Sequence, residues 1–196
     1  MQIQLKSRLR GRTRQAIEDN NLKQAAVLLP LFRMNGAYHV LFIKRSRKVE
    51  HHKGEISFPG GICEESDGAF ERTALRETHE EIGIRPEDVR VLGLLDDIRT
   101  QSTRYRVTPV VGIIPYPYHF VLSSQEVEKI ITIPLAHLLE AGNGGEEEVI
   151  REGKAYRGHV YHCGIYLIWG ATARILNNFI QLWDELSRDR GSQSYP

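Results

Sequence analysis

Apolar residues are distributed along the chain with two periods, and these set the predicted elements. Ala25 to Phe32 is a nearly continuous apolar run and Ala37 to Ile43 a second. Asn35-Gly36 between them tolerates positive φ, which predicts a hairpin. Lys44 to Gly61 has no helical period, ends in Phe58-Pro59-Gly60-Gly61, and reads as a loop. Ala69 to Ile82 has helical spacing, and Gly83 suits the left-handed residue past a helix end. Val89 to Leu95 and Tyr105 to Ile114 read as strands. Ile133 to Leu139 reads as a short helix with Pro134 in its first turn. Val149 to Tyr161 predicts a hairpin turning near Glu152-Gly153, and Ala171 to Leu186 a helix burying Ile175, Leu176, Phe179 and Trp183. Hairpins with few helices and no repeat predict an α+β fold. Residues 1–23 read as a solvated N-terminal helical arm, 24–188 as one domain and 189–196 as a C-terminal tail.

Composition narrows the function classes. With 41% hydrophobic and 26% charged residues, the 196-residue chain is not disordered or collagen-like. The balance of 26 Lys+Arg against 25 Asp+Glu argues against a dedicated nucleic-acid binder. Cys63 and Cys163 are too few for a disulfide framework or a four-cysteine zinc site. The sequence has no signal-peptide-like apolar segment and no run of about 18 apolar residues. These features set the expectation of a cytoplasmic protein with no membrane partner. Locally the charges separate: Lys44 to Lys53 holds five cationic residues against Glu50, whereas Glu64 to Glu81 holds seven carboxylates against Arg72 and Arg76.

The predicted acidic helix carries the candidate chemistry. At about 100° per residue, Glu77 and Glu81 lie roughly 40° apart, with Glu80 roughly 60° to the other side of Glu77. Ala74, Leu75, Thr78 and Ile82 form the neighbouring arc that packs on a sheet. Like charges at i,i+4 cost a few tenths of a kcal/mol. A divalent cation would offset that cost, and hard oxygen donors suit Mg²⁺ or Mn²⁺; a solvated acidic face balanced by Arg72 and Arg76 is the alternative. Gly60-Gly61 lets the backbone approach a ligand closely. Asp67 reads as the helix N-cap.

Gly61 to Ile84 resembles the Nudix hydrolase signature, G-x5-E-x7-R-E-U-x-E-E-x-G-U. Gly61, Arg76-Glu77, Glu80-Glu81, Gly83 and Ile84 match it. Asp67 stands for the first Glu, one residue further from Arg76, and Thr78 takes an apolar position. The resemblance implies a mixed sheet sandwiched between helices and metal-dependent hydrolysis of a nucleoside diphosphate linked to another group. It assigns Glu77, Glu81 and Gly61 to the metal, and Glu80 and Arg76 to catalysis. Glu80 is then a further ligand or the base, and Arg76 orients the carboxylates. A base from a later loop would come from Glu126, Glu128 or Glu146-Glu147-Glu148.

Upstream, Arg45-Ser46, Gly54 and Phe58-Pro59-Gly60-Gly61 resemble the added motif of the coenzyme A pyrophosphatase subgroup. Asp96-Asp97, Arg106, Thr108 to Val111 and Ile168 to Leu176 extend that likeness. Glu50 replaces the motif's second Arg, and Leu41-Phe42-Ile43 lacks its Thr. The likeness implies that Arg45, Ser46 and Lys53 bind substrate, a small nucleotide. The reaction it implies converts coenzyme A or acyl-CoA to 3′,5′-ADP and (acyl-)4′-phosphopantetheine. The alternatives are another diphosphate, such as ADP-ribose or a dinucleotide, and a non-catalytic nucleotide-binding sensor; a homodimer stays open. His51-His52 read as loop polarity, Trp169 and Trp183 as core residues, and Cys63 as no nucleophile, since it has no base partner.

Overall fold

A computed structural model describes residues 1–49, 52–100, 103–140, 142–151 and 153–192. The two apolar runs form β1 (Lys23–Met34) and β2 (Ala37–Arg45), paired antiparallel with Leu31 opposite Val40. Asn35 and Gly36 make the turn at φ 51° and 82°. β1 is apolar on both faces because it lies inside the sheet. It pairs on its other side, in parallel, with Tyr105–Ile113. The remaining strands of this mixed sheet are β3 (Ile56–Ser57), β4 (Gly60–Ile62), β5 (Arg90–Leu94), β6 (Ile98–Arg99) and β8 (Val127–Pro134), Tyr105–Ile113 being β7. A separate antiparallel sheet holds β9 (Gly144–Arg151), β10 (Lys154–Cys163) and β11 (Tyr166–Ile168).

The described chain also holds four α-helices, α1 (Gln2–Gly11), α2 (Phe70–Ile82), α3 (Leu135–Leu139) and α4 (Gly170–Ser192), and a single 3-10 turn at Pro86–Asp88. Side chains alternate across a strand, so the large sheet has two apolar faces. Ala26, Leu28, Leu41 and Ile43 pack with Ala74 and Ile82 of α2. Leu29, Leu31, Val40 and Phe42 share a cluster with Leu176, Phe179 and Trp183 of α4 and Leu5 and Leu9 of α1. The architecture is the expected α+β mixed sheet between helices.

Three local expectations are corrected. The stretch 44–61 is not all loop, because Gly60 and Gly61 pair with Val27 and Ala26 of β1. Three glycine-rich residues carry no hydrophobic alternation by which to recognise a strand. Ile133 and Pro134 belong to β8, whose Val127, Ile131 and Ile133 are buried, so the short helix begins only at Leu135. The N-terminal arm is not solvated: Leu5 and Leu9 are buried, and its basic residues meet the acidic pair Asp96-Asp97. Arg12 donates to both Asp96 oxygens at 2.9 and 3.1 Å, and Arg14 pairs with the buried Asp97. Arg14 and Arg106 both lie over the ring of Phe70, the first residue of α2, at 5.4 and 5.6 Å.

The entry to α2 also differs from expectation. Ala69 occupies the N-cap position without a side-chain cap. Buried Asp67 instead accepts the Glu64 N–H at 3.0 Å, the Thr73 hydroxyl at 2.8 Å, and Arg76 Nε and Nη2 at 3.0 Å each. These donors, the Arg76 guanidinium foremost, hold its carboxyl well below the usual carboxylate range. At the other end Gly83 sits at φ 75° and donates to the His79 carbonyl at 2.9 Å.

Asp67→Asn should cost about 2–3 kcal/mol at pH 7, the scale of hydrogen bonds to a charged group. The sign follows from the lowered folded-state value. The carboxylate's contribution is complete above its ordinary value of about 3.9 and is lost as pH falls through the folded one. Urea unfolding of both proteins at pH 7 and pH 3 should show the gap narrowing at the lower pH. A gap that does not change would contradict an ionic role for Asp67.

Candidate active site

α2 turns Thr73, Ala74, Thr78 and Ile82 into the core, and Glu81 goes in with them at 3% exposure. A carboxylate at such a depth requires partners. Glu81 Oε2 accepts the Gly60 N–H at 3.0 Å, and Arg45 Nη1 stands 3.7 Å from Oε1. Glu77 lies against the same strand: a Cβ on Gly61 would overlap the Glu77 carboxylate, and one on Gly60 would overlap the Ala26 carbonyl. Only glycine lets β4 fit between β1 and the acidic face of α2.

Arg76 links the carboxylates. It donates to Glu77 at 2.9 Å, to Glu80 at 3.3 Å and to the Ile62 carbonyl at 3.1 Å, besides its pair with Asp67. Burial pushes Glu81 up to about 8; the Gly60 N–H and Arg45 oppose the rise, while Glu126 and Glu77 add to it. Burial also raises Glu77. Their charged forms would be stabilised by a further cation between them and the glycine strand. Among the described residues no three Asp, Glu, His or Cys side chains converge as a ready-made metal site. The available donors are two carboxylates and backbone oxygen, a hard set that suits an ion completing its shell with water and phosphate.

The structure brings some of the sequence-predicted residues together and leaves others aside. Gly61, Arg76, Glu77 and Glu81 converge, and Arg45 joins them from the end of β2. Glu80 shares their helix but is exposed, with Arg76 as its only ion-pair partner among the described residues. Ser46 is not brought to a ligand-facing position. It is buried, its Oγ accepts from the Lys48 N–H at 3.1 Å, and its own N–H holds the Glu126 carbonyl at 2.8 Å. Lys53 is exposed in the turn before β3 and makes no contact with the carboxylates. Of the later acids, Glu126 lies near enough to raise both Glu77 and Glu81. Glu128 is paired with Lys44 at 2.7 Å, and Glu146, Glu147 and Glu148 are exposed on β9. Glu50 and His51 lie outside the described residues; His52 pairs with Glu55 at 2.9 Å.

A cavity of about 430 Å³ adjoins the glycine pair. One wall is the large sheet, with Val27, Arg45, Gly60 and Gly61; the other comes from β10, Trp169 and the first turns of α4. Trp169 is therefore a half-buried cavity wall, whereas Trp183 is core as expected. Sequence reasoning missed this cavity because its walls are assembled from segments far apart in the chain. The one available signal was the Ile168 to Leu176 segment, singled out only by family likeness.

Comparison with known proteins agrees with this geometry. A family model described as the NUDIX domain matches residues 22–151. Proteins named uncharacterized Nudix hydrolase NudL from Citrobacter koseri and Enterobacter sp. strain 638 are 38% and 37% identical over 159 and 156 residues. The alignments cover 81% and 80% of this chain and 82% and 80% of those proteins. Two solved structures share the fold. A MutT/nudix family protein from Enterococcus faecalis has a TM-score of 0.56 at 16% identity, over 86% of this chain and 64% of that one. The MutT protein from Methanosarcina mazei Go1 has a TM-score of 0.52 at 15% identity, over 91% and 98%. The domain match, the relatives and the acidic helix set against its glycine strand together establish that this chain belongs to the Nudix hydrolase family.

Proposed function

We propose that this Nudix pyrophosphohydrolase cleaves the diphosphate of coenzyme A or acyl-CoA, releasing 3′,5′-ADP and (acyl-)4′-phosphopantetheine. The observation that carries the reading is the continuity of half-buried Glu77 and buried Glu81 with a large, mostly apolar cavity, joined at Gly60-Gly61 and Arg45. An adenosine or pantetheine group would lie in the cavity while the diphosphate rests at the junction. The residues that meet there belong to the motif resembling the coenzyme A subgroup.

Glu77, Glu81 and the Gly61 carbonyl would hold a divalent cation, Mg²⁺ or Mn²⁺. When bound, such an ion offsets phosphate charge and lowers the pKa of a coordinated water. Arg45 supports the diphosphate: its Nε is buried without a hydrogen-bond partner among the described residues, and a phosphate oxygen would satisfy it. Glu126, held by the Ser46 N–H, takes the proton of the attacking water as the diphosphate P–O bond breaks. Glu80, paired with Arg76 on the same stripe, is the second candidate for that proton. Arg76, locked by Asp67, keeps the carboxylates in register.

Incubation with Mg²⁺ or Mn²⁺ and a panel of coenzyme A, acetyl-CoA, ADP-ribose and diadenosine polyphosphates, with products identified by mass, tests the reading. Coenzyme A should yield 3′,5′-ADP and 4′-phosphopantetheine. Cleavage of the other diphosphates alone would reassign the substrate, and binding without cleavage of any would make the protein a sensor. Glu77→Gln and Glu81→Gln should each lower turnover by about 100-fold or more, several kcal/mol in the barrier, with unchanged melting cooperativity. A near-normal rate in either would contradict the assignment. The base is identified by pH–rate profiles: Glu126→Gln should remove the acidic limb, and its loss in Glu80→Gln alone would give Glu80 the role.

A further inference from the structure

We propose that the cavity wall formed by β10 and α4 is a second anion subsite, which reads a phosphomonoester carried by the substrate in addition to the diphosphate that is cleaved. The inference rests on the reading above for where the diphosphate lies, and it deepens that reading by naming the feature the enzyme selects.

The charges lining the cavity are lopsided. Among the described residues, Glu55 is the only acidic one that lines it, and Glu55 is engaged by His52 at 2.9 Å. Four guanidinium-bearing residues line the same space: Arg45, Arg99, Arg157 and Arg174. Arg45 faces Glu81, and Arg99 pairs with Asp19 at 3.6 Å. Among the described residues, neither Arg157 nor Arg174 has a carboxylate within ion-pair distance. Both side chains are exposed at the cavity edge, and Arg157 stands opposite Glu148 of β9; the excess of cations lining the cavity still favours an incoming anion.

The two arginines come from different elements, Arg157 from β10 and Arg174 from the first turns of α4. Arg174 Nη1 donates to the Arg99 carbonyl at 2.8 Å, which fixes one arm of the fork and leaves its other donors for a ligand. Trp169 precedes α4 on the same wall, steadied by the Arg151 guanidinium 5.6 Å above its ring and by the Tyr156 ring at 5.5 Å. The first N–H groups of α4 add to the field, since a helix leaves them without intrahelical acceptors. Planar guanidinium forks match the oxygens of a phosphomonoester. Gly60, Gly61 and Arg45, where the diphosphate is cleaved, belong to the other wall, so one elongated ligand would meet both anion sites. Coenzyme A carries such an extra phosphomonoester; dephospho-CoA, ADP-ribose and diadenosine polyphosphates do not.

The test compares ligands differing only in that group. The wild-type enzyme should show kcat/KM for coenzyme A at least about ten-fold above that for dephospho-CoA. In calorimetry it should bind 3′,5′-ADP at least about ten-fold more tightly than 5′-AMP. Arg157→Gln, Arg174→Gln and the double variant should bring both ratios toward one, with the loss appearing in KM. Arg157 is exposed on its strand, so its substitution tests the subsite even if Arg174→Gln disturbs the Arg99 segment. Equal handling of the paired ligands by the wild type, or ratios that survive in the double variant, would overturn the subsite. Absence of turnover on any diphosphate, alongside a 3′,5′-ADP preference lost in the double variant, would overturn the enzymatic reading and leave the subsite standing.

Discussion

The structure depends on two carboxylates placed where carboxylates are costly. Glu81 is almost fully buried and Glu77 lies against the backbone of Gly61. Both are raised by the loss of water; Glu126 and Glu77 raise Glu81 further, and Glu80 and Glu126 raise Glu77. Such an arrangement persists only with compensating donors. The Gly60 N–H, Arg45 and Arg76 provide them. β4 must be glycine here because any side chain would occupy the space of the carboxylate or of β1.

Much of the rest of the molecule braces that arrangement. Asp67 fixes Arg76, and Arg76 fixes the carboxylates. The N-terminal arm reaches the same helix from its other end: Asp97 gathers Arg14, Thr108 and the Ile17 N–H, and Arg14 and Arg106 cover Phe70. Ser46, expected at the substrate, instead ties the end of β2 to the Glu126 carbonyl and sets that acid beside the pair. The large sheet thus serves as a frame that brings one acidic helix, one glycine strand and one acidic loop to the mouth of a cavity.

Periodicity made the hairpin at Asn35-Gly36, α2 and α4 legible in the sequence, since each has a long apolar pattern and a definite stop. The placement of Glu77, Glu80 and Glu81 on one helix was legible because it follows from helical spacing and a specific motif. What stayed hidden was set by distant partners. β4 has no pattern of its own and exists because β1 offers an edge. Asp67 looked like a cap because its real partner, Arg76, is nine residues on. The basic run from Lys44 to Lys53 suggested a phosphate-binding patch, yet Lys44 pairs with Glu128, Lys53 stays exposed, and of its lysines and arginines only Arg45 lines the cavity. The cations on the opposite wall, Arg157 and Arg174, come from separate segments that only the fold brings to one wall.

On the proposed reading, the Glu77–Glu81 pair and the glycine strand would hold a divalent cation without substrate. Titration of the protein with Mn²⁺, with free ion read by electron paramagnetic resonance, tests it most directly. Wild-type protein should take up Mn²⁺ without any nucleotide present, and Glu81→Gln should weaken that uptake by at least about ten-fold, the lower range seen when groups around a metal are removed. Equal uptake by the two proteins, or none by the wild type, would contradict the account.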